Sequence, residues 1–114
     1  MAQQFDIAII GAGPGGYATA LRAAQLGKSV VMVERDATLG GTCLNRGCIP
    51  SKALITATRT LDTMRHGRQM GIVTSLEEID FGQLRDYREH TVDTMTQGLR
   101  GLVAFRGITV YQGE

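Results

Sequence analysis

The residues of this chain that could carry out chemistry are concentrated in one short segment that holds both of its cysteines. The segment "GGTCLNRGCIPSK" runs from Gly40 to Lys52, and Cys43 and Cys48 lie five positions apart within it. Two thiols at this spacing allow three kinds of chemistry: a structural disulfide, half of a metal site, or a redox-active dithiol. The surroundings of the segment decide among these three.

The metal site and the structural disulfide are the weaker alternatives. A closed zinc site needs two ligands besides the thiolates, and neither His66 nor His90 falls in a ligand pattern with the cysteines. A disulfide across so short a loop gives limited entropic stabilisation. The N-terminus lacks the basic start and long apolar stretch of a signal peptide. We therefore expect a cytoplasmic protein, in which structural disulfides are rare.

A redox dithiol fits the segment better, with Cys48 as the more acidic thiol. A helix is predicted over "PSKALITATRTLDTMR", which begins at Pro50. Cys48 lies at the start of this helix, where the helix dipole stabilises a thiolate and lowers the thiol pKa. The ammonium group of Lys52 acts in the same direction if it points toward the thiols. Cys43 is left as the exchange partner.

A glycine-rich loop near the N-terminus indicates a dinucleotide site. Gly11, Gly13 and Gly16 have the G-x-G-x-x-G spacing, between an apolar run and a helical pattern. In this motif the first glycine permits a tight turn, the second lets the backbone approach a pyrophosphate, and the third lets the helix pack closely on the strand. Glu34 ends the next apolar run, where a carboxylate can accept hydrogen bonds from ribose hydroxyls. The alternative is an ordinary glycine turn with a solvated Glu34, and the loop alone does not separate NAD from FAD.

The elements that position these residues form an α/β pattern. Residues Phe5–Ile10 and Ser29–Arg35 read as buried parallel strands, and "YATALRAAQLG" between them reads as a helix, which makes one βαβ unit. Asp80 and Gln83 have capping-box spacing at the start of a second long amphipathic helix. The stretch "GITVYQGE" then reads as a further strand. We therefore expect a Rossmann-like unit with a parallel sheet.

The composition excludes several function classes. Hydrophobic residues make up 43% of the 114 residues and charged residues 20%, with 12 Lys plus Arg against 11 Asp plus Glu. The formal charge of +1 offers no strong field for nucleic acid or an anionic membrane. No apolar run approaches the roughly 20 residues that a membrane span needs. We expect one domain that binds neither nucleic acid nor membrane.

Together, the glycine loop and the cysteine segment resemble a known family. The stretches "IAIIGAGPGGYATALRAAQLG" and "VERDATLGGTCLNRGCIPSKAL" resemble the start of the pyridine nucleotide–disulfide oxidoreductases, which are flavoproteins. Within that family the resemblance is closest to the dihydrolipoamide dehydrogenase branch, while glutathione and mercuric reductases share the two-cysteine arrangement. The chain departs from the usual pattern at Arg46, where valine is the common residue.

The resemblance implies that the dinucleotide is FAD, and it assigns the residues that hold the cofactor. The expected cofactor-binding residues are Gly11, Gly13, Pro14, Gly15, Gly16, Glu34, Arg35, Gly40, Gly41, Thr42, Cys48, Lys52 and Glu114. In this assignment the glycine loop holds the pyrophosphate and Glu34 the adenosine ribose. The segment 35–42 lines the cofactor, Lys52 lies near the reactive flavin nitrogen, and a backbone contact with adenine falls at or just past Glu114.

The resemblance also implies a reaction, in which the catalytic residues are Cys43 and Cys48. Dihydrolipoamide, carried on lipoyl domains of 2-oxo acid dehydrogenase complexes, would attack the disulfide at Cys43 and release Cys48 as the thiolate that faces the flavin. FAD would then pass a hydride to NAD⁺. The family acts as a homodimer and takes its catalytic base from a histidine of a C-terminal domain. Neither His66 nor His90 lies in that pattern, and we expect both to be surface residues.

The length of the chain sets a further expectation. Family members are several times longer, and this chain contains one G-x-G-x-x-G where they have two. We expect residues 1–114 to be the N-terminal part of an FAD-binding domain, incomplete relative to the family domain and inactive on its own. A stand-alone nucleotide-binding or thiol-bearing module without turnover is the alternative of a different class.

Overall fold

The computed structural model of the chain describes residues 2–114, in which three strands and four α-helices are present. The elements are β1 (Ile7–Ile10), α1 (Pro14–Gln25), β2 (Val30–Glu34), α2 (Gly41–Asn45), α3 (Cys48–Gly67), a 3₁₀ turn (Arg68–Met70), α4 (Phe81–Phe105) and β3 (Thr109–Gln112). The three predicted strands are present, each slightly shorter than its apolar run.

The strands form one parallel sheet in the order β1–β2–β3. Ile7 pairs with Val30, and Val31 pairs with Thr109, so the three strands run in register from the same end. The predicted Rossmann-like βαβ unit is confirmed. Because the strands are parallel, their carboxyl ends lie at one edge, where such sheets bind ligands.

The core lies around β2 and the helix faces packed against the sheet. Met32 and Val30 are fully or nearly fully buried, together with Ala20 of α1 and Val103 of α4. Close packing on β1 and β2 requires small side chains on α1, and its two buried residues are both alanines. Strand β2, which ends at Glu34, is therefore held by packing from α1, which precedes it in the sequence, and from α4, which follows it.

The long crossover between β2 and β3 is a helical hairpin. Helices α3 and α4 pack against each other, and the molecule is drawn out to 69 × 27 × 18 Å. Asp80 caps α4 as predicted, because its Oδ1 accepts the Gln83 backbone N–H at 3.0 Å. Helix α3 begins at Cys48, two residues before the predicted start at Pro50. Within residues 2–114, no helix combines the length and apolar character needed to cross a membrane.

We predict that Met32→Ala destabilises the chain by about 2–5 kcal/mol, because Met32 is 0% exposed at the centre of the sheet and its truncation leaves a cavity. Urea unfolding followed by circular dichroism measures the loss. The matched control is Met95→Ala, at a helix position that is 46% exposed, which should change the free energy of unfolding by no more than about 0.5 kcal/mol. Equal losses for the two variants would contradict the assignment of the core.

Candidate dinucleotide and dithiol site

The glycine loop connects the end of β1 to the start of α1. Gly11 has a φ of +94° and its N–H donates to the Val33 carbonyl at 2.8 Å, which turns the chain over the sheet edge. Helix α1 then begins at Pro14, with Gly13 as its N-cap. In the part of the chain described, no side chain caps this helix. Its first N–H groups are thus available to an anionic group.

The third glycine of the motif has the packing role that the motif predicts. A Cβ at Gly16 would overlap the carbonyl oxygen of Gly11 and lie 3.4 Å from Cγ2 of Ile9. Only glycine allows the helix to begin so close to the strand. Gly15 differs, because a Cβ there would meet nothing within 4 Å. The loop is therefore closed on its protein side and open at Gly15, as a phosphate cradle requires.

Glu34, at the end of β2, is a buried acidic residue that organises the same loop. It is 8% exposed, its Oε2 accepts the Ala12 N–H at 2.6 Å, and its Oε1 accepts the Asp36 N–H at 2.8 Å. The alternative of a solvated Glu34 is therefore wrong. Each carboxylate oxygen has a second acceptor site, so the group that fixes the loop can still accept a ligand hydroxyl.

A cleft of about 420 Å³ opens beside Glu34. Its walls come from the loop after β2, from β3 and from α4, which contributes Gln97 and Arg100. The glycine loop and both cysteines lie outside it. Sequence analysis missed the α4 wall because α4 carries no motif, and only the packing of its helix against the segment after β2 places it there.

The segment before the first cysteine is in direct contact with the glycine loop. The Gly40 N–H donates to the Ala12 carbonyl at 2.8 Å. Gly41 has a φ of +62°, and a Cβ there would lie 2.7 Å from the Cα of Gly13. The predicted site residues Gly13 and Gly41, which are 28 positions apart in the sequence, are thus brought together by backbone contacts alone.

The two cysteines lie on either side of the junction between α2 and α3. Cys43 is half-buried within α2, and Cys48 is exposed as the first residue of α3, which confirms its predicted place at a helix start. A hydrogen bond to the Cys48 sulfur raises the pKa of the Cys43 thiol, and partial burial acts in the same direction. The Lys52 ammonium opposes this rise. The net direction is upward, so the raised pKa means that the Cys43 thiol loses its proton at a higher pH than an ordinary cysteine does.

Helix α2 is tied to the loop after β2 by side chains that sequence analysis did not single out. The Thr38 hydroxyl donates to Oδ1 of Asn45 at 2.9 Å, and Nδ2 of Asn45 donates to the carbonyl of Leu39 at 3.1 Å. The Arg46 guanidinium pairs with the Asp36 carboxylate. Nothing in the spacing of these residues predicts such pairs, which arise only when the two segments meet.

The remaining predicted residues lie further from the loop contacts. Arg35 and Glu114 form an exposed ion pair of 3.7 Å where β2 and β3 end. Thr42 and Lys52 are exposed near the cysteines, Thr42 on α2 and Lys52 as the fifth residue of α3. His66 and His90 are exposed on α3 and α4, as predicted for surface residues.

Comparison with known proteins agrees with this arrangement. The model of the family described as "Pyridine nucleotide-disulphide oxidoreductase" matches residues 5–114. The chain is 47% identical over 109 residues to a dihydrolipoyl dehydrogenase of Bacillus subtilis, which covers 96% of the chain and 23% of that protein. A protein of the same name from Halobacterium salinarum is 44% identical with the same coverage. One from Geobacillus stearothermophilus is 44% identical, over 93% of the chain and 22% of that protein. The chain thus spans about a quarter of the length of these relatives.

We predict that Gly41→Ala costs more stability than Gly27→Ala. Both glycines have positive φ, at +62° and +79°, where an alanine is disfavoured by about 1–2 kcal/mol. Only at Gly41 would the new Cβ also meet backbone, so its loss should be larger by about 1–3 kcal/mol. Urea unfolding of both variants gives the difference, and equal losses would contradict the contact between the glycine loop and the cysteine segment.

We predict that the thiolate of Cys43 forms at a higher pH in the reduced native chain than in the unfolded chain, because its pKa is raised. The rate of alkylation of Cys43 by iodoacetamide, followed by mass spectrometry across pH, reports the midpoint. Cys48→Ala should lower the midpoint because it removes the main cause of the rise. Lys52→Met should raise it slightly further. A midpoint that does not fall in Cys48→Ala would refute the assigned hydrogen bond.

Proposed function

Because the chain belongs to the pyridine nucleotide-disulphide oxidoreductase family, we propose that it forms the FAD-binding, disulfide-bearing part of a dihydrolipoyl dehydrogenase. The observation that carries the proposal is the backbone contact of Gly40 and Gly41 with the glycine loop. This contact brings the cysteine segment next to the glycine loop, which supports electron transfer between the dithiol and a dinucleotide held by that loop.

The residues at this edge fit FAD in charge and shape. The uncapped start of α1 and the open position at Gly15 suit a pyrophosphate, which needs N–H donors and room. Glu34 has acceptor capacity left for a ribose hydroxyl and lines the cleft beside it. Arg35 and Glu114 would flank the adenosine end, while Thr42, Cys48 and Lys52 would face the cofactor from the dithiol side.

The chemistry of the dithiol itself is thiol–disulfide exchange. A substrate thiolate attacks the sulfur of Cys43, a new S–S bond forms to the substrate, and the bond between Cys43 and Cys48 breaks with Cys48 leaving as a thiolate. The second substrate thiol then displaces Cys43, which takes up a proton. The substrate leaves as a disulfide, and the protein gains two electrons as a dithiol.

The two cysteines have the properties that these roles require. Cys48, at the first position of a 20-residue helix, is placed where a thiolate leaving group is stabilised by the helix dipole. Cys43 holds its proton more strongly because it hydrogen-bonds to Cys48. When bound, FAD supplies the two-electron acceptor that restores the disulfide, with NAD⁺ as the final acceptor.

The names of the relatives support dihydrolipoamide as the thiol substrate, and the partners and location are what the family resemblance implies. We assign dihydrolipoamide, on lipoyl domains of 2-oxo acid dehydrogenase complexes, as the thiol substrate, and we assign a homodimer and a cytoplasmic location to the whole enzyme. The three relatives named above are dihydrolipoyl dehydrogenases, which favours this substrate over glutathione disulfide or mercuric ion. The base that activates the substrate thiol would come from outside residues 2–114.

Titration of the reduced chain with FAD, followed by flavin fluorescence and circular dichroism, tests the proposal. We expect saturable binding, and we expect Gly15→Val to weaken it about tenfold or more, because the new side chain extends into the cradle from a position whose Cβ meets no protein atom within 4 Å. The matched control is Gly98→Val on α4, also in open space, which should leave binding unchanged. A folded chain that binds no FAD, or that binds equally well as Gly15→Val, would refute the proposed cofactor site.

A further inference from the structure

Arg46 lies between the two cysteines and makes a contact that the exchange chemistry does not use. It is the C-cap residue of α2, and its guanidinium donates to Oδ2 of Asp36 in the loop after β2. The side chains of Arg46 and Asp36 are 60% and 27% exposed. The pair therefore joins the cysteine segment to the loop that follows Glu34.

Arg46 lies at the junction between α2 and α3, so its ion pair with Asp36 restrains that junction. The Arg46 N–H donates to the Thr42 carbonyl at 2.9 Å and ends α2, Gly47 follows with φ −123° and ψ −102°, and α3 begins at Cys48. Two residues therefore set the direction of one thiol-bearing helix relative to the other. Gly47 has no side chain, so Arg46 supplies the anchor of the junction.

The other end of the pair is firmly held. The Asp36 N–H donates to Glu34 at 2.8 Å, and the buried Glu34 carboxylate also accepts the Ala12 N–H. The last residue of α2, Asn45, makes a separate tie to the same loop, because its Nδ2 donates to the Leu39 carbonyl at 3.1 Å. The carboxyl end of α2 is thus held to the loop after β2 by two side chains, those of Asn45 and Arg46.

We propose that Arg46 is a positioning residue for the dithiol, whose ion pair with Asp36 holds the α2–α3 junction in the geometry that a disulfide between Cys43 and Cys48 requires. The inference rests on the proposed redox role of these cysteines. Without the pair, the reduced junction samples geometries that the disulfide excludes. The reduced state then gains conformational entropy, and the oxidised state, whose junction is held by the disulfide, does not.

The predicted effect is on the equilibrium in which the two thiols and oxidised glutathione give the Cys43–Cys48 disulfide and two reduced glutathiones. Arg46→Ala should lower this equilibrium constant about two- to fivefold, a change within the range measured for partly exposed ion pairs. Asp36→Asn, which also removes the 3.8 Å contact of Asp36 with Arg35, should lower it at least as much, and the double variant should lose no more than Asp36→Asn alone because both changes remove the Arg46–Asp36 pair. Arg46→Lys, which keeps the charge, should recover part of the loss.

Redox titration of the full 114-residue chain in glutathione buffers without flavin, read by thiol alkylation and mass spectrometry, measures these constants. The matched control is Arg85→Ala on α4, which removes an arginine of similar exposure (64%) from an ion pair remote from the cysteines, and it should leave the constant unchanged. The free energy of unfolding of the reduced variants is measured in parallel. If the pair were merely structural, its removal would lower the free energy of unfolding and leave the redox equilibrium constant unchanged.

The outcomes separate the two proposals. An unchanged constant in Arg46→Ala and Asp36→Asn, additive effects of the two, or an equal effect of Arg85→Ala would overturn the positioning role while the redox role stands. Failure of the unaltered chain to form the Cys43–Cys48 disulfide in any glutathione buffer would overturn the proposed function, and the positioning role with it.

Discussion

The arrangement of this molecule depends on one backbone contact, between the glycine loop and the two glycines that precede the first cysteine. The Gly40 N–H reaches the Ala12 carbonyl, and Gly41 approaches Gly13 more closely than any side chain would permit. Because α2 begins at Gly41, the contact also fixes where Cys43 stands relative to β1. The cysteine segment can lie this close to the glycine loop only with glycine at position 41, since a Cβ there would lie 2.7 Å from the Cα of Gly13.

The buried carboxylate of Glu34 supports the same contact. Burying an unpaired charge is costly, and Glu34 avoids the cost by accepting two backbone N–H groups rather than a salt bridge. Both donors belong to loops, one before α1 and one after β2. The acid therefore holds the two loops at a fixed separation, and Asp36 extends this support to the cysteine segment through Arg46.

The local features were predictable from the sequence because each depends on near neighbours. The strand, glycine turn and helix around Gly11, the cap at Asp80 and the helix start beside Cys48 follow from spacing and propensity. The start of α3 was placed two residues late because proline is tolerated throughout the first turn, whose N–H groups have no helical partner. The Arg46–Asp36 pair and the α4 wall of the cleft could not be predicted, since they join segments whose approach depends on the tertiary fold. The roles of the individual site residues toward a cofactor stay predictions.

The position of Cys48 as the first residue of α3 has a mechanical consequence. Helix α3 is a rod of about 30 Å, at 1.5 Å per residue, and the thiol is placed at its anchored end while the other end projects with the hairpin. A tilt of about 5° around Cys48 carries the far end of such a rod through about 2.6 Å, yet the sulfur at the pivot hardly moves. A swing of the hairpin about this end of α3 therefore displaces the Cys48 sulfur far less than it displaces the far end of the helix.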